Sequence, residues 1–555
     1  MGTITPESII SDLRYLQLLS RSFPTIADAS TEIINLEAIL NLPKGTEHFL
    51  TDIHGEYEAF QHVLKNASGA VKRKVNEIFG HTLRESEKKE ICTLIYYPEE
   101  KLQLIKEQET DLDDWYLITL NQLVKVCQNV SSKYTRSKVR KALPAEFSYI
   151  IQELLHESSV EPNKHAYINV IISTIISTKR ADDFIIAMCN LIQRLTIDSL
   201  HIVGDIYDRG PGAHIIMDTL CDYHNFDIQW GNHDILWMGA ACGSESCIAN
   251  VLRNNIKYGN MEILENSYGI SLRSLILFAE KLYPDLTPMK AALKAISIIL
   301  FKLEGQIIMR HSEYNMDDRL LLDKMDLGKG TVCIEGQEYD LNDTYFPTID
   351  FKQPYVLSEE EQKVMEDLRA SFRNSHVLRD HVEFLYEKGS IYRVYNGNLL
   401  FHGCIPLDEN GNLDGIQIGE KFYCGKEYMD YAQRVARLAF YQGTRPALDF
   451  MWYLWCGKKS PLSGRNIKTF ERTFVEDKRA WEEAKDPYYR YYQQEDVCVR
   501  ILGEFGLHSS MSHIINGHTP IKVSDGESPV KANNRLIVID GGFCKAYQKT
   551  TGIAG

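Results

Sequence analysis

The stretch between residues 201 and 234 constrains this chain most, because two short polar signatures there each follow an apolar run. Gly204-Asp205-Ile206-Tyr207-Asp208-Arg209-Gly210 follows Leu200-His201-Ile202-Val203, and Gly231-Asn232-His233-Asp234 follows Phe226-Asp227-Ile228-Gln229-Trp230. The intervening stretch carries Ile215, Ile216 and Leu220, a pattern that predicts a helix packed on a sheet. The segment therefore reads as β-α-β with polar residues where each strand ends. In open α/β sheets that edge is where ligands bind. An Asp, an Asn and a His delivered there offer the oxygen and nitrogen donors that suit divalent metals such as Mn²⁺ or Zn²⁺.

The same arrangement recurs along the chain. His48-Phe49-Leu50 leads into Thr51-Asp52-Ile53-His54-Gly55, where Asp52 and His54 are two apart and share one side of an extended chain. Gly397-Asn398-Leu399-Leu400-Phe401 ends in His402-Gly403-Cys404, and His513-Ile514-Ile515-Asn516 leads to Gly517-His518-Thr519. A last apolar run, Arg535-Leu536-Ile537-Val538-Ile539, leads to Asp540-Gly541. Alone, an Asp-x-His is usually a turn, and a single strand-end histidine is usually a surface group. Together, Asp52, His54, Asp205, Asn232, His402 and His518 form the donor inventory of a two-metal hydrolase, in which one carboxylate serves both cations.

The rest reads as insertions into a sheet core. Residues 6–40 are patterned as helix and end at Pro43-Lys44-Gly45, and 57–195 is mostly helical. A second helical stretch to about 313 includes 272–282 and an amphipathic segment at 290–309. Residues 315–360 read as irregular, and 359–387 as helical. The aromatic-rich stretch 420–507 contains Cys456-Gly457-Lys458-Lys459-Ser460, which is not a P-loop because the upstream glycine would fall at Trp452. The expected organisation is one discontinuous unit with core segments 45–57, 197–240, 396–410 and 511–555. Insertions are expected at 58–196, 241–395 and 420–507.

A net charge of −15 over 555 residues argues against broad binding to nucleic acid or anionic membrane. The twelve cysteines include no Cys-x-x-Cys, which predicts reduced thiols and a cytoplasmic protein. No apolar stretch is long enough for a bilayer, and the first residues lack a secretory signal pattern. Oligomeric state is not set by the sequence, and a homo-oligomer is allowed.

The order Asp-x-His-Gly, Gly-Asp-x-x-Asp-Arg-Gly, Gly-Asn-His-Asp, His-Gly and Gly-His-Thr resembles the calcineurin-like metallophosphatases. The resemblance implies an α/β (α+β) fold, specifically an αββα sandwich with large helical insertions and a dimetal site at one edge. It implies Asp52 and His54 on one metal, Asp205 bridging, and Asn232, His402 and His518 on the other. His233 matches the general acid, Asp208 the carboxylate that orients it, and Arg209 an arginine that grips the phosphoryl group. Arg465 is the positional match to a second phosphate-binding arginine, with Lys458 and Lys459 as candidates for a second phosphate. Asp234 stands where many members carry Glu.

The wide spacing of Asp52 and Asp205 narrows the resemblance, as do the segments Lys302-Leu303-Glu304-Gly305-Gln306 and Tyr453-Leu454-Trp455-Cys456-Gly457-Lys458-Lys459-Ser460-Pro461. The whole chain is similar to the class 3 fructose-1,6-bisphosphatases of Firmicutes. That implies Mn²⁺-dependent hydrolysis of the 1-phosphate of fructose 1,6-bisphosphate in gluconeogenesis, with a small sugar bisphosphate as substrate. Rival expectations are a phosphoprotein phosphatase on the same machinery and a metal-binding scaffold without turnover. Ending at Thr551-Gly552-Ile553-Ala554-Gly555, the chain is expected to be a C-terminally truncated form.

Overall fold

The computed structural model describes residues 10, 12–156, 162–522, 525–540, 542 and 543. It is a mixed α/β protein whose described residues divide into two compact units, one of residues 1–47 and 65–198, the other of 48–64 and 199–555.

The first unit is helical. Leu120, Leu123 and Cys127 lie on one stripe of the Leu112–Ser131 helix, and all are buried against a core that also takes Phe184, Ile185 and Met188 from Ala181–Thr196. That spacing of three and four is what a helix needs to bury one face. Ahead of this core, the predicted N-terminal helix is two helices, Leu13–Ser22 and Ile26–Leu40, separated at Phe23-Pro24. Residues 6–9, which the same prediction included, lie outside the described residues.

The second unit carries two core sheets. In the first, β1 (Glu47–Leu50), β2 (Ser199–Ile202), β3 (Phe226–Gln229) and β4 (Gly389–Ser390) are neighbours in that order, with β2, β3 and β4 parallel. The second contains β5 (Tyr392–Tyr395), β6 (Asn398–Phe401), β7 (His513–Asn516), β8 (Val530–Lys531) and β9 (Leu536–Val538) in the spatial order β8-β9-β7-β6-β5. Its central strands β6, β7 and β9 are parallel, and the two edge strands are antiparallel to them. β2 is buried at every position and β3 and β6 nearly so, as strands covered on both faces must be.

Register then decides which residues meet. Ile202 pairs with Ile228, so the loops opening at Val203 and Trp230 leave the sheet at one level. Ile515 pairs with Leu400 and Asn516 with Val538, which aligns the exits to His402, His518 and Asp540. Parallel strands put all these exits at one edge.

Three parts differ from the sequence reading. The 290–309 segment is a helix, Pro288–Arg310, but it is buried along most of its length rather than amphipathic, with Glu245–Tyr258 and Arg273–Leu282 both packed on it. Residues 315–360 are not wholly irregular; Met325–Asp326, Thr331–Ile334 and Gln337–Asp340 form a small antiparallel sheet. A hairpin of Gly415–Ile418 and Lys421–Cys424 precedes the Gly425–Gln442 helix. The described cysteines are free thiols, and no described helix is long and apolar enough to cross a membrane. Gly541 and the final residues 551–555 lie outside the described residues.

Candidate metal centre

Asp205 lies between two groups of side chains that could each hold a cation. One is Asp205 with His54 and His233, the other Asp205 with His402 and His518, and within each group the donor atoms all lie within 4.8 Å of one another. The carboxylate is buried; its Oδ1 accepts the His233 backbone N–H at 2.9 Å, and its Oδ2 lies 3.3 Å from His402 Nε2 and 3.8 Å from His54 Nε2.

Two of the imidazoles are oriented from behind. His54 Nδ1 lies 3.1 Å from the Tyr207 carbonyl, and His402 Nδ1 lies 2.7 Å from the Val203 carbonyl. A carbonyl only accepts, so Nδ1 carries a proton and Nε2 is the nitrogen turned to the centre. Both Nε2 atoms, His518 Nε2 and Asn232 Oδ1 are buried without a hydrogen-bond partner. Buried polar atoms are paired as a rule, because leaving one unpaired costs roughly 1–3 kcal/mol. Four such atoms around two carboxylates are a donor set for cations. Asp52 completes it: its Oδ2 accepts from Thr51 Oγ1 at 2.8 Å and from the His518 N–H at 2.9 Å, while Oδ1 stands 3.5 Å from His54 Nε2.

The electrostatics agree. Burial lowers the His402 pKa, but Asp205 and Asp52 outweigh it and raise the value to about 10. Burial raises the Asp52 carboxyl, yet His54 and His402 pull it down to about 2. Asp205 likewise ends well below the ordinary range because His402 and His233 outweigh its burial. His54 and His518 are lowered, mainly by burial, and stay neutral. The two carboxylates draw positive charge to the site, onto His402 above all, while His54 and His518 stand beside them as neutral imidazoles.

The backbone pays locally for this convergence. Asp52, His54, Asp205, Asp208, Arg209 and His518 all have φ between 49° and 72°, the left-handed region that non-glycine residues avoid. Two glycines permit the crowding. A Cβ on Gly204 would stand 2.5 Å from His402 Nδ1, and one on Gly231 would stand 2.0 Å from Asp205 Oδ1. The Gly-Asp and Gly-Asn pairs of the signatures are thus a steric requirement. Asp234 serves the backbone instead of a cation. Its carboxylate accepts N–H groups of Asp205 and Ile206, each at 2.8 Å, and of Gly231 at 2.9 Å, tying the two signature loops together.

His233 is held differently from the other histidines. Its Nδ1 lies 2.7 Å from Asp208 Oδ2 and its ring meets Trp455 edge-on at 4.7 Å. Asp208 is itself fixed by Trp237 Nε1 at 2.8 Å and Asn254 Nδ2 at 2.9 Å. Neither Trp237 nor Asn254 was expected from the sequence, since both sit on helices outside any motif.

Arg209 is half-buried, and after burial its charge is the largest influence lowering His54. Arg465 donates from Nη2 to Thr519 Oγ1 at 3.2 Å, beside His518, and its Nε is buried without a partner. Lys459 spends three donors on the Leu407 carbonyl, Asp414 and Asp486 at 2.7, 2.8 and 3.0 Å, and Lys458 pairs with Asp318 at 2.8 Å. Asp540 is a neighbour the sequence reading left out of the site: burial and Asp52 push its pKa well above the ordinary range.

A family model described as Firmicute fructose-1,6-bisphosphatase matches residues 14–555. A protein of Bacteroides thetaiotaomicron called fructose-1,6-bisphosphatase class 3 is 64% identical over 581 residues, covering 100% of this chain and 88% of that protein. A protein of the same name from Phocaeicola vulgatus is 59% identical, covering 100% and 87%, and one from Clostridium novyi is 55% identical, covering 99% and 86%. No solved structure matches.

Proposed function

The chain belongs to the Firmicute fructose-1,6-bisphosphatase family, and from that membership we infer that it hydrolyses the 1-phosphate of D-fructose 1,6-bisphosphate, giving fructose 6-phosphate and phosphate. The observation that carries the mechanism is that Asp205 stands between His54 on one side and His402 with His518 on the other, with Asp52 Oδ1 3.5 Å from His54 Nε2; His233, near enough to join the first group, is held by Asp208 instead. In this reading Asp52 and His54 would hold one divalent cation and Asn232, His402 and His518 the other, with Asp205 as a ligand available to both. The family resemblance implies Mn²⁺, and the Asp and Asn oxygens are donors that would suit it. When bound, two such cations supply charge to the phosphoryl oxygens and make water nucleophilic at neutral pH.

The chain's own residues do the rest. Arg209 and Arg465 meet the phosphoryl charge. His233 would give its proton to the departing O1 of the sugar as the P–O1 bond breaks and the water oxygen bonds to phosphorus; the proton that the water loses passes to solvent, from which His233 is reprotonated. Asp208 keeps that imidazole oriented, and Trp237 and Asn254 keep Asp208 in place. The two parallel-centred sheets are the inner layers of a calcineurin-like αββα sandwich with core segments 45–57, 197–240, 396–410 and 511–555, and 58–196, 241–395 and 420–507 are insertions into it. The reaction belongs to gluconeogenesis in the cytoplasm.

The test is phosphate release from fructose 1,6-bisphosphate with Mn²⁺ and with EDTA, beside a phosphopeptide and an aryl phosphate. Release that needs Mn²⁺ and is confined to the sugar bisphosphate is expected. Preference for the phosphopeptide would overturn the substrate assignment.

A further inference from the structure

The two N-terminal helices bury nothing. Neither Leu13–Ser22 nor Ile26–Leu40 contains a buried residue. Ile26 is 88% exposed, Ile33 65% and Leu40 79%. Helices of this length are marginal in water by themselves and owe their stability to an apolar face packed on something. The second helix is nonetheless fully specified at its start, where Thr25 Oγ1 accepts from the Asp28 N–H at 3.1 Å and the Asp28 carboxylate accepts from the Thr25 N–H at 3.2 Å.

One row of its apolar residues is continuous, although Ile34 and Ile39 are exposed outside it. Ile26, Ala29, Ile33, Leu36 and Leu40 follow one another at spacings of three, four, three and four, the seam of a helix built to pair with another helix. Charge indicates which helix. Ile26–Leu40 carries Asp28, Glu32 and Glu37 and no basic residue, so two copies of it would repel along the seam. Leu13–Ser22 carries Arg14 and Arg21 and no acidic residue, with Leu13, Leu16 and Leu19 exposed at helical spacing. One chain thus presents two apolar helices of opposite charge, the self-complementary surface that a two-fold interface requires.

We propose that this helical pair is a homodimerisation surface, the acidic Ile26–Leu40 helix of one copy lying on the basic Leu13–Ser22 helix of a second copy, and the reverse. The proposal does not depend on the activity of the metal centre.

The test is the mass of the full chain by light scattering across a dilution series. A dimer of two 63.7 kDa chains is expected. Ile33→Glu with Leu36→Glu gives a monomer whose circular dichroism and turnover per chain are unchanged. Arg14→Glu with Arg21→Glu weakens the dimer at least tenfold, and adding Glu32→Lys with Glu37→Lys to the same chain restores it, a rescue that misfolding cannot imitate. A wild-type monomer at every concentration overturns the proposal, whether the seam is then covered by another part of the chain or by a different protein. So does a dimer indifferent to the seam substitutions, and so does failure of the charge swap to restore association.

Discussion

Around Lys302 the buried charges of the second unit are paired, whereas around Asp205 they are held apart with their lone pairs facing inward. Lys302 Nζ donates to Glu361 at 2.7 Å and to the Thr348 carbonyl at 2.6 Å. Glu304 accepts from Arg319 at 3.0 Å and from Trp452 Nε1 at 3.1 Å. Gly305 lies so close to Tyr355 that a Cβ would stand 2.1 Å from that ring. The segment that helped mark the family resemblance is therefore a packing motif on the buried Pro288–Arg310 helix. At Asp205 the opposite holds: imidazole Nε2 atoms and an amide oxygen lack partners, and the backbone beneath them is left-handed. Paired charge is architecture. Open donor atoms on a strained backbone, at the exits of two sheets, are a place prepared for something else.

Substitutions on the two sides of this comparison should separate rate from stability. His233→Ala is expected to lower turnover by about 10²–10⁴, the share of a general acid, with metal content unchanged; steady-state kinetics beside metal analysis checks this, and an unaltered rate would remove His233 from that role. Lys302→Met leaves the Glu361 carboxylate buried without its partner and should cost about 3–5 kcal/mol in unfolding free energy by denaturant titration. Turnover per folded molecule should be unchanged in that variant, so a rate loss without destabilisation would blur the division drawn here. Asn254→Ala removes one support of Asp208 worth about 1–3 kcal/mol, and a roughly ten- to hundredfold drop in kcat with little change in KM is expected; an effect on KM alone would place Asn254 in substrate binding.

The smallest effect concerns another paired cluster. The hydrogen bond to Asp449 raises the His311 pKa, with burial opposing. A group raised in the folded state stabilises fully below its unfolded pKa of about 6.5, and that contribution is lost as pH rises through the folded value. The denaturation midpoint should therefore fall slightly from acid to mildly alkaline pH. His311→Gln should flatten that slope; an unchanged slope would assign it to other groups.

The comparison also explains what could be read ahead of the structure. Asp52, His54, Asp205, Asn232, His402 and His518 were legible because each follows a short apolar strand and most are flanked by glycine, so composition, order and backbone requirement coincide in a few residues. Asp540 follows such a strand as well, but a lone Asp-Gly carries no second donor to mark it. Trp237 and Asn254 reach Asp208 from helices, where no local pattern distinguishes a supporting side chain from a packed one. The strand Gln337–Asp340 escaped notice because it is mostly exposed and polar, with no alternation to show. Lys459 illustrates the converse, since two adjacent lysines look available in sequence and only the fold supplies Asp414 and Asp486 to occupy one of them.

The central claim is that one carboxylate serves two cations, and metal counting tests it most directly. Wild-type chain and Asp205→Asn would be loaded with Mn²⁺, freed of excess, and measured for manganese per chain, with circular dichroism to establish that both are folded. The account predicts two per chain in the wild type and fewer than one in the variant. Two tightly held ions per folded chain in both proteins would contradict it.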